Sequence, residues 1–225
     1  MAVNALIVGA TGLCGSAFLK YATVESGFAS VTTITRRKPH NSQAEKVKSI
    51  VEKNSASWAD MIPNNINVMF SGLATTKGDA GSKENFYKLD HDLNMELAKR
   101  AKSLGCETYV LVSSAGADER SHFFYLKTKG EIERDILALG FDKTIILRPG
   151  ALLGERAESK GFFNSLVANI GGLTYRTGLQ GLVGYPVYGD EVGRVGITLA
   201  LDTSRTEKVQ IVESKEILEL AAGAD

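Results

Sequence analysis

Three side chains of the sequence could move a proton to or from a carbonyl oxygen. Tyr125 and Lys129 are four residues apart on a predicted helix and therefore share a face, and Ser114 ends the predicted strand before that helix. A phenol with an ordinary pKa of about 10 is a poor acid or base at neutral pH until a nearby cation favours the phenolate. Lys129 supplies such a cation, and Ser114 can donate a hydrogen bond that orients the carbonyl oxygen.

A Tyr-x-x-x-Lys pair alone is weak evidence, because many chains of this size contain one by chance. Here it occurs once, after a strand that ends in serine and before the next strand. The alternative is a structural tyrosine–lysine pair on a helix surface. Ser113 is the competing serine; side chains alternate between the faces of a strand, and Ser114 is preferred because it lies further into the crevice. The pattern predicts Ser114, Tyr125 and Lys129 as catalytic residues, with a nicotinamide cofactor supplying the hydride. Lys129 is also predicted to bind the cofactor, by holding the nicotinamide ribose.

The first strand and helix provide the pattern of a cofactor site. Ala5–Val8 is an apolar run typical of a strand buried on both faces, and glycines spaced G-x-x-G-x-x-G follow it. A helical period comes next, so the glycines lie at a strand-to-helix turn, where free N–H groups and the helix dipole attract phosphate. The alternative is a tight turn without a ligand. The residues predicted to bind the pyrophosphate are Gly9, Thr11, Gly12, Leu13, Cys14 and Gly15.

Three consecutive cations, Arg36, Arg37 and Lys38, follow the second predicted strand, residues 31–35. In a dinucleotide-binding fold the end of this strand meets the adenosine ribose, where an acidic residue would bind the 2′-hydroxyl of NAD. Arginine instead suits a 2′-phosphate, which it can bind in bidentate fashion. Arg36 and Arg37 are therefore predicted to select NADP(H). The alternative is a solvated run of charges.

The rest of the chain alternates predicted strands with helices, which is typical of βαβ units and a parallel sheet. We therefore expect an α/β fold: a Rossmann-type doubly wound, mostly parallel sheet with helices on both faces. The whole chain, 1–225, is predicted to be a single NAD(P)-binding domain in which residues of about 151–190 form a small substrate-side region. The further strands are predicted at 47–51, 68–70, 108–112, 144–147 and 209–212.

Two further strand ends complete the predicted cofactor site. The fourth strand opens into small residues, and the sixth ends at an Arg-Pro-Gly sequence. Ligands of open α/β sheets bind in the crevice at the carboxyl ends of the strands. The residues added on this ground are Leu73, Ala74, Thr75, Pro149 and Gly150.

Several other features have a structural and a functional interpretation. A helix is predicted from Glu84 to Leu104, and Trp58 is expected in the core. Cys14 is expected to pack beneath the cofactor, although a helix N-terminus can also lower the pKa of a thiol.

Apolar residues recur at helical spacing from Phe162 to Ile170. We interpret this stripe as core or substrate-pocket wall, with a membrane-surface contact and a dimer contact as alternatives.

The composition argues against several classes of protein. The 225 residues contain 26 Lys and Arg against 26 Asp and Glu, so no global field attracts nucleic acid or anionic lipid. The two cysteines suggest neither a disulfide framework nor a metal site. We expect no cleavable presequence, since the first strand begins close to Met1, and no stretch reaches the roughly 18 apolar residues of a membrane span.

Longer motifs resemble a known family nearly from end to end. The chain is similar to the atypical branch of the short-chain dehydrogenase/reductase superfamily, and within it to the fungal found-in-mitochondrial-proteome protein fifty-two family. The human Tat-interacting oxidoreductase is more distantly similar. The motifs are Gly-Ala-Thr-Gly-Leu-Cys-Gly at 9–15, Leu-Ala-Thr-Thr at 73–76, Val-Ser-Ser-Ala-Gly-Ala at 112–117, Lys-Gly-Glu-Ile-Glu-Arg at 129–134, Leu-Arg-Pro-Gly at 147–150, Leu-Leu-Gly-Glu-Arg at 152–156 and Gly-Tyr-Pro-Val-Tyr-Gly-Asp-Glu-Val-Gly at 184–193.

That resemblance implies a Rossmann fold, an NADP(H) cofactor and peripheral attachment to the cytosolic face of the mitochondrial outer membrane, but no settled substrate. We expect an NADP-dependent oxidoreductase acting on the carbonyl/alcohol pair of a small or lipid-like molecule. One alternative is an NADP-binding sensor or adaptor with a protein partner and little turnover, which need not retain the three catalytic residues. A purely structural organiser is the other, and the glycine loop and the arginine pair argue against it. No nucleic-acid partner is expected, and the oligomeric state stays open.

Overall fold

Parallel strands form one large sheet in the computed structural model, which describes residues 2–40, 42–75, 77–154, 175–177 and 180–223. Every neighbouring pair of strands in this sheet is parallel. Its seven strands are β1 (Val3–Val8), β2 (Phe28–Thr35), β3 (Val47–Val51), β4 (Val68–Ser71), β5 (Thr108–Val112), β6 (Lys143–Arg148) and β9 (Val209–Glu213).

The order of the strands, β3-β2-β1-β4-β5-β6-β9, confirms the Rossmann-type fold. The chain moves outward from β1 to β3, then returns to place β4 on the other side of β1 and moves outward again. The direction therefore reverses between β1 and β4, and in sheets of this kind the ligand crevice lies at the carboxyl ends of the strands around the reversal. The strand predicted at 209–212 exists as β9 and forms the far edge of the sheet.

Helices cover both faces of the sheet. The residues of β1 alternate between two cores: Ile7 packs in a cluster with Phe18 of the first helix, and Leu6 packs in a cluster with Leu97 on the other face. This double burial explains why β1 is an unbroken apolar run. The helices are α1 (Leu13–Val24), α2 (Lys77–Ala80), α3 (Lys83–Tyr87), α4 (Leu93–Ser103), α5 (Phe124–Ala138), α6 (Gly189–Leu201) and α7 (Ser214–Ala222).

The predicted helix from Glu84 to Leu104 exists, but a π-helical turn at Lys88–Asp92 separates α3 from α4. Turns of this kind insert one residue into the helical ladder and recur at functional sites. Trp58 is 3% exposed, which confirms its expected place in the core.

A second, two-stranded sheet was not predicted. It pairs β7 (Leu152–Leu153) with β8 (Val187–Tyr188) in parallel. Strands of two residues have no periodicity that a sequence pattern could reveal. The stripe predicted from Phe162 to Ile170 lies outside the described residues. Among the helices of the described residues, none has the length and apolar character needed to cross a bilayer.

Candidate active site

The turn between β1 and α1 brings backbone atoms to the carboxyl end of the sheet. Gly9 has a φ of +77°, a left-handed conformation that favours glycine. A Cβ atom on Gly9 would lie 2.5 Å from the carbonyl carbon of Gly72, and one on Gly15 would lie 2.0 Å from the carbonyl oxygen of Gly9. The first and third glycines of the motif are therefore required for close packing of this turn.

Gly12 has a different environment. It is exposed, and a Cβ atom there would meet no described atom closer than 3.4 Å. Gly12 is the N-cap of α1, where no described side chain caps the helix and no acidic residue occupies the first turn. Because the first N–H groups of a helix lack intrahelical partners, this end of α1 fits a phosphate group.

The side chains of Thr11, Leu13 and Cys14, between these glycines, differ in their surroundings. Leu13 packs toward α6, since a Cβ atom on Gly189 would lie 2.9 Å from the Cβ atom of Leu13. Cys14, in the first turn of α1, is buried in the hydrophobic core. Thr11 is half-buried. Leu13 and Cys14 could therefore reach a phosphate only through their backbone N–H groups.

Arg36 and Arg37 lie at the same edge of the sheet as the glycine loop. They follow the last residue of β2, and this strand pairs directly with β1, with Val8 opposite Ile34. Both arginines and the adjacent Lys38 are exposed. The structure therefore brings the predicted ribose end and the predicted pyrophosphate end of the cofactor site onto neighbouring strands.

The end of β4 lies on the other side of the glycine loop. Gly72 donates its N–H to the carbonyl oxygen of Val8 at 3.0 Å. Leu73 and Thr75 are half-buried, and Ala74 is exposed. The three predicted cofactor contacts after β4 are thus adjacent to the β1–α1 turn, at the reversal of strand order.

Pro149 and Gly150 use their backbone polar atoms within the protein. The Pro149 carbonyl accepts a hydrogen bond of 2.9 Å from the Ala115 N–H, and the Gly150 N–H donates to Ser214 Oγ at 2.8 Å. A Cβ atom on Gly150 would lie 2.0 Å from the carbonyl oxygen of Gly184. These contacts join the segment after β6 to the segment after β5, to the first residue of α7 and to the loop before β8.

The two serines after β5 differ in their surroundings. Ser113 is buried and donates its hydroxyl to the carboxylate of Glu133, which also binds Arg148 through two hydrogen bonds of 3.0 and 2.6 Å. Ser114 is half-buried, and its hydroxyl has a long contact of 3.4 Å with the carbonyl oxygen of Ala115. Ser114 is therefore the serine better able to bind a ligand.

Tyr125 and Lys129 lie at the start of α5, on one face of the helix as predicted. The Lys129 ammonium nitrogen lies 5.9 Å from the centroid of the Tyr125 ring. The tyrosine is 44% exposed, and the lysine is 3% exposed. Phe86 of α3 supports the phenol ring edge-on, with 5.9 Å between the ring centroids. The pair thus combines an accessible phenol with a cation shielded from water.

Sequence reasoning missed the partner of Lys129. The lysine ammonium forms a buried ion pair with the Asp90 carboxylate, which lies in the π-helical turn. The second oxygen of Asp90 accepts the N–H of Thr75 at 2.8 Å. Burial lowers the pKa of Lys129, but the Asp90 charge, followed by the smaller effects of Tyr125 and Glu133, raises it above its ordinary value.

A signal for this partner is present in the sequence. Asp90 and Asn94 fall on the helical face of Leu97 and Ala101, at spacings of four, three and four residues, and all four are buried. Polar residues on a buried helical stripe must find polar partners. Asn94 accepts a hydrogen bond from Ser71 and donates its side-chain amide to the Asp90 carbonyl oxygen at 2.8 Å.

Comparison with solved structures shows the same fold in proteins solved in complex with NAD. MoeE5 in complex with UDP-glucose and NAD has a TM-score of 0.68 and 17% identity, covering 98% of this chain and 81% of that one. Bordetella bronchiseptica WbmH in complex with NAD⁺ has a TM-score of 0.69 and 16% identity, over 99% and 80% of the two chains. At this level of identity the likeness shows the Rossmann-type fold alone.

Comparison with known sequences identifies the family of the chain, whereas the solved structures show only its fold. A model of the family described as HIM1 matches residues 36–170. "Protein FMP52, mitochondrial" of Kluyveromyces lactis is 58% identical over 221 residues, which cover 97% of this chain and 99% of that protein. The Saccharomyces cerevisiae protein of the same name is 52% identical over 227 residues, covering 99% and 98%. The chain therefore belongs to the FMP52 family.

Proposed function

We propose that this protein is an NADP-dependent oxidoreductase that interconverts a carbonyl group and an alcohol. The observation that supports this most directly is the pairing of an accessible phenol, Tyr125, with a buried cation, Lys129. This pair lies in a Rossmann-type fold whose glycine loop leaves helix N–H groups open to a phosphate.

Each catalytic residue has a distinct task in carbonyl reduction. A nicotinamide cofactor, when bound, would supply the hydride for the carbonyl carbon. Tyr125 donates its hydroxyl proton to the carbonyl oxygen, so that the substrate gains one hydride and one proton and the tyrosine becomes a phenolate. Lys129 stabilises that phenolate, and Ser114 donates a hydrogen bond to the oxygen as negative charge develops there. In the reverse direction the phenolate removes the alcohol proton.

The preference for NADP rests on the residues that follow β2. Arg36 and Arg37 are exposed there, and no acidic residue stands in the run of cations. A carboxylate at this position would bind the ribose 2′-hydroxyl, whereas guanidinium groups bind a 2′-phosphate. Charge at this strand end therefore supports NADP over NAD.

Aromatic side chains around Tyr125 support an apolar substrate. Phe86 and Phe124 pack edge-on with 5.6 Å between their ring centroids, and the preceding Phe123 is 73% exposed. Exposed aromatic surface beside a reactive group is typical of a ligand site. We propose a small or lipid-like carbonyl compound as substrate and residues of about 151–190 as the substrate-side region.

We also propose that the protein acts on mitochondria, peripherally on the cytosolic face of the outer membrane. The relatives are named as mitochondrial proteins, which supports a mitochondrial location. The family resemblance supports placement on the cytosolic face of the outer membrane. Protease treatment of intact mitochondria would degrade a protein on the cytosolic face, whereas protection until the outer membrane is ruptured would contradict that placement.

The oxidoreductase proposal is tested by NADPH consumption with ketones and aldehydes of increasing chain length. We expect turnover that rises with apolar character of the substrate and that disappears in Tyr125→Phe. NADPH consumption that persists in Tyr125→Phe would contradict the assigned chemistry. Tight NADPH binding without turnover across the series would instead favour the sensor or adaptor function.

A further inference from the structure

Asp90 is buried between the two parts of the site that sequence motifs identify separately. It is 1% exposed, and its two carboxylate oxygens have different partners. One binds the ammonium group of Lys129 on α5, and the other accepts the N–H of Thr75 in the segment that follows β4. A single carboxylate thus connects the catalytic lysine to the predicted cofactor contacts after β4.

The position of Asp90 is itself fixed by the fold. It lies in the middle of the π-helical turn, which packs against α5, while α3 and α4 continue on either side. The Asp90 carbonyl oxygen accepts the side-chain amide of Asn94, which in turn accepts the Ser71 hydroxyl. A π-helical turn at such a place is typical of functional constraint, because it disrupts regular helical hydrogen bonding.

The charges that face Lys129 make Asp90 its main counter-ion. From its own helix, Tyr125 and Glu133 lie near the ammonium group. Glu133 is already paired with Arg148, and its charge is therefore compensated. The adjacent His91 of the π-helical turn binds other carboxylates instead. A buried lysine without a counter-ion loses its proton readily, because burial disfavours the charged form.

We propose that Asp90 is the positioning residue of Lys129: it holds the lysine ammonium beside Tyr125 and keeps that ammonium charged at a site shielded from water. This role rests on the proposed function of Lys129. It differs from a purely structural ion pair in one respect, because loss of the carboxylate should change the protonation of the lysine as well as the stability of the fold.

The direct test follows the protonation of Lys129 in the absence of any cofactor. Protein labelled with ¹³C in the lysine side chain is titrated with base, and the Lys129 signal is identified by its loss in Lys129→Met. We expect Lys129 of Asp90→Asn to lose its proton at lower pH than in the wild type. The matched control is Asp92→Asn in the same turn, whose carboxylate contacts His91, and it should leave the Lys129 titration unchanged.

Identical Lys129 titrations in the wild type and Asp90→Asn would overturn the proposal. This outcome is distinguishable from failure of the proposed function, which would appear as absence of NADPH binding by the wild type. If the wild type binds NADPH, the affinity of Asp90→Asn for NADPH should fall by about tenfold over the pH range in which Lys129 of the variant loses its proton. The affinity of the wild type for NADPH should stay constant over the same pH range.

A second measurement keeps the proposal testable if Asp90→Asn folds poorly. Removal of one member of a buried ion pair leaves an uncompensated charge, whereas removal of both does not. The double variant Asp90→Asn with Lys129→Met should therefore melt at a higher temperature than Asp90→Asn alone. Additive effects of the two substitutions on stability would show that the pair is not coupled and would overturn the proposal.

Discussion

Gly15 lies against Gly9 so closely that a Cβ atom on Gly15 would be 2.0 Å from the Gly9 carbonyl oxygen. This contact holds the start of α1 against the end of β1. Gly9 and Gly15 are needed for packing, whereas Gly12 is exposed and is the glycine at which we propose that the phosphate approaches.

Substitution of these glycines should therefore have different consequences. Gly15→Ala should lower the free energy of unfolding by about 1–3 kcal/mol, since backbone atoms must shift to accept the methyl group. Gly12→Ala should cost less than about 1 kcal/mol but weaken NADPH binding by about tenfold or more. Denaturant unfolding and fluorescence titration measure the two effects. Equal losses of stability in both variants would contradict the separation.

Tyr125→Phe should abolish turnover and change the affinity for NADPH by no more than a few-fold. The ring packs against Phe86, and phenylalanine retains that contact while it removes the proton donor. Calorimetric titration and steady-state kinetics on the same preparation check both statements. Loss of NADPH binding together with turnover would mean that the hydroxyl holds the cofactor and that its assigned task is wrong.

The adjacent serines should be separable by mutation. Ser114→Ala should reduce kcat by about 10²–10³, because it removes a donor to the developing oxyanion, with a change in stability within about 0.5 kcal/mol. Ser113→Ala should cost about 1 kcal/mol of stability through the lost bond to Glu133 and retain most of the turnover. The reverse pattern would identify Ser113 as the catalytic serine.

Removal of the arginines after β2 should weaken the binding of NADPH but not that of NADH. Arg36→Ala and Arg37→Ala should each weaken NADPH binding by about tenfold, since each removes a charge-assisted hydrogen bond to the 2′-phosphate. NADH binding should change little. Lys99→Ala, at an exposed position on α4, is the control for the loss of one positive charge. A similar loss of NADPH affinity in that control would point to a general charge effect.

Much of the fold follows from local patterns in the sequence. The predicted strands at 47–51 and 108–112 coincide with β3 and β5. In β5, an unbroken run of β-branched, aromatic and apolar residues defines a buried strand without reference to the rest of the chain. In β3, the β-branched residues predict a strand although it lies partly exposed at the edge of the sheet. Likewise, the glycine spacing after β1 predicts the turn, since few other backbone geometries need glycine at both Gly9 and Gly15.

Other features depend on contacts between distant residues. Asp90 and Lys129 are 39 residues apart in the sequence. The helical pattern around residue 90 predicts a regular helix and gives no sign of the π-helical turn in which Asp90 lies. The burial of Ser113 depends similarly on Glu133, which belongs to another element. The two-residue strands β7 and β8 exist only because they pair with each other. A pattern within one element can show that a buried polar residue such as Asp90 needs a partner, but it cannot identify the partner in another element.

The most direct test of the proposed cofactor site is calorimetric titration of the purified protein with NADPH and, separately, with NADH. We expect NADPH to bind at least about tenfold more tightly, as a 2′-phosphate contact with Arg36 and Arg37 requires. Equal binding would remove the arginines from the site and leave the glycine loop in it. Binding of neither nucleotide would contradict the oxidoreductase function.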